Sequence, residues 1–180
     1  GSNATDGSPT SDPEPPSKFP EAPELTTSQW FNSTGDITLE SLRGQVVVIE
    51  AFQMLCPGCV SHGLPQAQRI AARFGNDLTV LGLHTVFEHH EAMRPVWLQA
   101  CPHEFGISHP GGVDAPVAGQ RIPATMQAYR MQGTPTLVLI DRAGRIRRLH
   151  FGRLDDLVVG AEGGDDRIPG CAGCQPRFPA

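Results

Sequence analysis

Val46-Val47-Val48-Ile49-Glu50-Ala51-Phe52 is a nearly unbroken run of β-branched and aromatic residues, interrupted by one acid. A strand with one wet face alternates apolar with polar, whereas a run with no polar face is covered on both sides, so this segment predicts a central strand. From Pro57 to Phe74 the period changes. Val60, Leu64, Ala67, Ile70 and Ala71 recur at three-and-four spacing, which predicts a helix ended by Gly75. Leu78 to His84 returns as a second buried strand. Strand, helix, strand in close succession predicts a right-handed crossover between parallel strands.

The flanks are less regular. Trp30 to Gly44 predicts a short hairpin followed by a turn, with Ser33 to Asp36 as turn residues. Thr85 to Gln132 is a long excursion, with helices expected near Pro95 to Phe105 and Pro123 to Met131 and a Gly/Pro-rich loop between them. Thr136 to Asp141 and Arg145 to Phe151, joined through Arg142-Ala143-Gly144, predict an antiparallel hairpin, and Leu154 to Ala161 a closing helix. Six prolines between residues 9 and 23, set among Ser, Thr, Asp and Glu, cannot bury enough apolar surface to offset chain entropy. The expected division is therefore a leader over 1–24, one α/β domain over 25–161, and a flexible, cysteine-containing tail over 162–180.

The composition narrows the function classes. Of 180 residues, 39% are hydrophobic and 18% charged, which suits a globular domain. A net charge of −5 with scattered basic residues gives no footprint for nucleic acid. No apolar run approaches the roughly 18–20 residues that span a bilayer, so stable membrane insertion is not expected. Gly1-Ser2-Asn3-Ala4 reads as the scar of a removed purification tag. Its junction with the Pro-rich segment suggests removal of an export signal, and hence a periplasmic or other extracytoplasmic setting.

The chemistry concentrates at Cys56-Pro57-Gly58-Cys59, where the first core strand gives way to the helix. A sulfur there faces unpaired backbone N–H groups and the positive end of the macrodipole, which favour thiolate over thiol. Pro57 suits the first helical turn and Gly58 leaves room for an approaching chain. Cys59, one turn on, can attack a mixed disulfide formed on Cys56. Three alternatives compete: half of a zinc site completed by Cys171 and Cys174, a structural disulfide, and two inert thiols. The first needs a spacing far longer than zinc ribbons use, and a disulfide closing so short a loop constrains the unfolded chain very little.

These residues, together with Gly133-Thr134-Pro135-Thr136 ahead of the second hairpin, resemble the thioredoxin superfamily. Leu42-Arg43-Gly44 before the first strand, and the helical insertion before Gly133, resemble more narrowly its TlpA/ResA-like redoxin branch. The likeness covers roughly residues 25 to 160. It implies a central mixed β-sheet flanked by helices, with an N-terminal β-hairpin and a helical insertion before a cis-proline. It also implies a thiol:disulfide oxidoreductase acting on protein thiols or disulfides, recharged by a reducing partner protein, without cofactor or metal. The proline corresponds to Pro135, which in the family packs on the active-site disulfide and leaves the backbone of the preceding residue, here Thr134, free to pair with a bound chain. Glu50 matches the position of the buried acid, an Asp in thioredoxin. A carboxyl there should have a raised pKa and could accept the proton of Cys59. Leu55 replaces the usual aromatic before the first cysteine, and Pro57-Gly58 lacks the His of strongly oxidising members.

Other groups leave alternatives open. His84, Glu88, His89 and His90, with His103 and His109 further on, are dense enough for a metal, so a copper- or zinc-binding carrier stands beside the oxidoreductase. Their spacing matches no recognised ligand motif. A peroxiredoxin-like peroxidase is disfavoured because Gln53 stands where that family has Thr or Ser three residues before its reactive cysteine. Cys101, in an apolar stretch, reads as a small buried hydrophobe. Cys171 and Cys174 could form a second redox pair or be bystanders.

Overall fold

The computed structural model describes residues 18–75, 78–87 and 107–154. The first strand, β1 (Thr27–Phe31), is followed by a 3-10 turn at Glu40–Leu42 and then β2 (Val46–Phe52). A π-helical turn (Cys59–Gly63) runs into α1 (Leu64–Phe74), and β3 (Leu78–His84) follows. After these come β4 (Gly111–Asp114), α2 (Ala124–Ala128), β5 (Thr136–Ile140) and β6 (Ile146–Phe151). The sheet order is β1-β4-β3-β2-β5-β6. The β2–β3 and β3–β4 pairs are parallel, and the β1–β4, β2–β5 and β5–β6 pairs antiparallel, so the sheet is mixed.

All seven residues of β2 are buried. Because side chains alternate across a strand, Val47, Ile49 and Ala51 join one core with Met126, Tyr129, Leu81 and Val138. Val46 and Val48 join the other, with Ala67 and Ile70 of α1. Glu50 and Phe52 continue this second row, beneath the start of the helix, and Phe52 packs with Cys59 and Leu64. The acid in the hydrophobic run is thus aimed at the helix that carries the cysteines.

Both core strands and the β5–β6 hairpin lie where the periodicity puts them. The helix expected over 57–74 is divided by the π-helical turn ahead of α1. Pro65 sits in the first turn of α1, has no N–H for the ladder, and would press its ring on the carbonyl four residues back. A widened preceding turn relieves both conflicts.

Residues 30–44, expected as a hairpin, contribute one strand instead. β1 pairs with β4, a partner about eighty residues away, as Thr27↔Asp114 and Phe31↔Gly111 show. Asn32 Nδ2 then donates to the carbonyls of Ile107 (2.8 Å) and His109 (3.3 Å), holding the chain against the lead-in to β4. β4 itself escapes hydrophobic patterning because its first residues are Gly111 and Gly112. A Cβ on Gly111 would fall 2.0 Å from Phe31 Cζ, so the glycine admits the ring that covers it.

Residues 19–22, assigned from sequence to the leader, lie along the β5–β6 turn. Glu21 bridges to Arg145, Ala22 N–H donates to Gly144 O (2.9 Å) and Ile146 N–H to Pro20 O (2.8 Å). The boundary drawn at residue 24 leaves this docked segment on the leader side. The helices expected over 95–105 and 154–161, Glu88, His89, His90, Cys101, His103, Cys171 and Cys174 lie outside the described residues, apart from Leu154.

α2 begins after Pro123, which brings no side-chain acceptor for the first N–H groups. Asp114, at the end of β4, supplies it: its carboxylate accepts from Thr125 N (2.7 Å), Met126 N (2.9 Å) and Thr85 Oγ1 (2.9 Å). Burial pushes the Asp114 carboxyl above the usual range, and these donors pull it back. Asp114→Ala should therefore destabilise the fold by about 1–3 kcal/mol, read from the denaturant midpoint, because buried donors lose their acceptor. A midpoint equal to the parent's would show that α2 does not depend on this cap.

Candidate active site

Cys56 lies just past β2, and the helical turn starts from it: its carbonyl accepts from Cys59 N and Val60 N, both at 3.1 Å. Cys56 is partly exposed and Cys59 fully buried, both as free thiols. Cys59 N–H points at Cys56 Sγ (3.4 Å), and the Cys56 thiol donates to Thr134 O (3.4 Å). The Thr134–Pro135 bond is cis. Gly58 faces the proline ring, since a Cβ there would lie 3.3 Å from Pro135 Cδ. Leu55, beside the thiol, is 53% exposed and leaves an aliphatic rim.

Glu50 is buried, and burial, with the charge of Cys56 adding to it, raises its pKa well above the carboxylate range. Its Oε1 has no hydrogen-bond partner among the described residues. The room it occupies is made by Gly63: a Cβ there would sit 2.3 Å from Glu50 Oε1 and 2.9 Å from Pro135 Cβ. Gly63 is a residue that sequence reading missed, because helix periodicity gives no reason for a small residue at that turn. Burial also raises the Cys59 thiol, opposed by hydrogen bonds from the Thr134 hydroxyl and the Gln53 backbone. Glu50, Cys56, Cys59, Thr134 and Pro135 therefore converge on one end of β2.

His84, at the end of β3, joins this site. Its Nε2 accepts the Met54 N–H (3.2 Å), so the ring is neutral and braces the loop leading to Cys56; its edge meets Phe52 with ring centroids 5.1 Å apart. Among the described residues no three His, Cys, Asp or Glu side chains come together to hold a metal. Gln53, singled out in the sequence only for what it is not, is buried and reaches both Thr134 Oγ1 (3.4 Å) and Phe87 N (3.2 Å).

No family model matches the chain. Among solved structures, the thioredoxin-like superfamily protein SPOA0173 is 58% identical, with a TM-score of 0.78 over 81% of this chain and 94% of that one. A thiol-disulfide isomerase from Corynebacterium glutamicum is 50% identical, with a TM-score of 0.78 over 83% of this chain and 97% of that one. The chain belongs to the thioredoxin superfamily. Protein DipZ of Mycobacterium bovis is 32% identical over 142 residues, 74% of this chain. Those residues are 19% of DipZ, so the chain spans about a fifth of the length of the curated relatives it matches. Within this thioredoxin-like frame the CxxC motif and the Thr-cis-Pro pair face one another.

The buried imidazoles make stability depend on pH. Burial lowers His84 from 6.5 to about 4, and His109 likewise. Between these values the unfolded chain binds protons that the folded chain does not, so this contribution to stability is lost as pH falls from 6.5 toward 4 and is constant above. His84→Gln keeps an acceptor for Met54 N–H and cannot titrate in this range. Its denaturation midpoint should fall less steeply with acid than the parent's; identical slopes would contradict a buried neutral His84.

Proposed function

We propose that the protein reduces disulfides in other proteins by exchange through Cys56 and Cys59. The observation that carries this reading is the asymmetry of the pair, an accessible sulfur at the start of a helical turn and against the Thr134-cis-Pro135 loop, beside a buried one. Cys56, as thiolate, attacks one sulfur of a substrate disulfide. That S–S bond breaks, a mixed disulfide forms on Cys56, and the other substrate sulfur leaves as a thiolate. Cys59 then loses its proton and attacks Cys56 Sγ, which releases the second substrate thiolate and leaves Cys56–Cys59 oxidised. The substrate has gained two electrons, and a dithiol partner protein returns them to the pair.

Glu50 is the group we assign to take the proton of Cys59. A raised pKa makes the carboxylate a stronger proton acceptor than an exposed Glu, and its free oxygen leaves an acceptor site open. The Thr134 backbone, beside the reactive sulfur, would pair with the bound chain, and the aliphatic rim at Leu55 favours apolar residues next to the target cysteine. An extracytoplasmic setting belongs to the same reading, supported by the Pro-rich segment ahead of the domain. No helix among the described residues is long and apolar enough to cross a membrane.

The reduced protein should reduce insulin, Cys56→Ser should abolish turnover, and Cys59→Ser should accumulate the mixed disulfide with substrate. Turnover that survives Cys56→Ser would sink the proposal. For Glu50→Gln, stopped-flow measurement should show a near-normal first attack and a second step slowed by about 100-fold or more, the order of one acid–base contribution. Its raised folded pKa also makes the parent's stability fall as pH rises from the acid range, so Glu50→Gln should gain on the parent with pH. Unchanged kinetics in both steps would withdraw Glu50 from the reaction.

A further inference from the structure

Cys59 carries the less favourable half of the exchange: it is buried and must become charged as it attacks. Burial raises its pKa, and the groups that oppose burial are few. One is the Gln53 backbone N–H, 3.5 Å from Cys59 Sγ, and another is the Thr134 hydroxyl. A hydroxyl is a rotor whose proton points wherever its other neighbours leave it free to point. At Thr134 the neighbour is Gln53. Phe87 N–H donates to Gln53 Oε1 (3.2 Å), which fixes the amide with its nitrogen toward Thr134, and Nε2 lies 3.4 Å from Thr134 Oγ1. An amide N–H cannot accept, so the Thr134 oxygen takes the accepting role on that side and its own O–H is left for Cys59.

We propose that Gln53 is a positioning residue for the resolving step, orienting the Thr134 hydroxyl as a donor to Cys59 through a directed chain from Phe87 N–H to the buried sulfur. The chain links three segments distant in sequence: the loop after β3, the end of β2 and the Thr134-cis-Pro135 loop. It rests on the exchange reading above and adds to it a device that acts on the second thiol rather than the first. Gln53 touches no reacting atom with its side chain; its effect passes through Thr134. The backbone bond from Gln53 N to Cys59 remains whatever the side chain.

Gln53→Met keeps side-chain length and removes the amide; Thr134→Val keeps shape and removes the hydroxyl; Thr134→Ser keeps the hydroxyl. In a Cys56→Ser chain, the rate at which a small alkylating agent labels Cys59 can be followed against pH by peptide mass, without reference to activity. Gln53→Met and Thr134→Val should each move this profile to higher pH, Thr134→Ser should leave it with the parent, and the double variant should match Thr134→Val alone. With Cys56 intact, Gln53→Met should slow release of the mixed disulfide about five-fold, the worth of one hydrogen bond, and slow the first attack less. A Cys59 profile unmoved by Gln53→Met, or losses that simply add in the double variant, would overturn the proposal. If the profiles shift as expected while the unsubstituted protein turns over no disulfide, the positioning role stands and the exchange reading falls.

Discussion

Strand β2 is withdrawn from water along its whole length, flanked by β3 and β5 in the sheet and covered by a core on either face. A strand in that position can carry a carboxyl only if the carboxyl remains largely neutral or is given a partner, because an isolated charge there is too costly. Glu50 stands in it without a hydrogen bond to Oε1, so the helix above must leave room for a group it cannot satisfy. That demand reaches Gly63, the only kind of residue that clears both Glu50 and Pro135, and the widened turn ahead of Pro65. The position of the cysteines on their helix and the presence of an acid beneath them are thus one packing problem.

Burial has opposite consequences for the acid and the imidazoles at this end of the sheet. It disfavours the charged form of each, raising the pKa of Glu50 and lowering that of His84. Around neutral pH, His84 adds no positive charge beside the cysteines, and its lone pair remains available to the Met54 N–H. The site is therefore tuned by hydrogen bonds and desolvation, with fixed cations contributing little among the described residues.

Much of this was legible in the sequence, for reasons that differ by element. β2, β3, β5 and β6 announce themselves because β-branched runs buried in a sheet leave a periodic signature. The CxxC motif and Gly133-Thr134-Pro135-Thr136 are compact enough to be seen, and Glu50 stands out as a charge in an apolar run. β4 does not, because four residues starting with two glycines carry no period, and β1 could not be paired because its partner lies far along the chain. The π-helical turn, Asp114 as a distant cap and Gln53 as a link between loops share that cause. Each takes its meaning from a contact between segments that no local pattern encodes.

The stretch from Phe19 to Phe31 reaches both sides of the strand order. Its early residues lie on the turn into β6, Thr26 exchanges hydrogen bonds with Thr125 of α2, and its last residues form β1 against β4. A chain made from its N-terminus must hold this stretch without its partners until residues 111–114 and 141–146 have emerged, long after β2, α1 and β3 can associate. The earliest of these segments to be synthesised is thus the last to lock. Until it does, β4 presents open backbone to any passing strand.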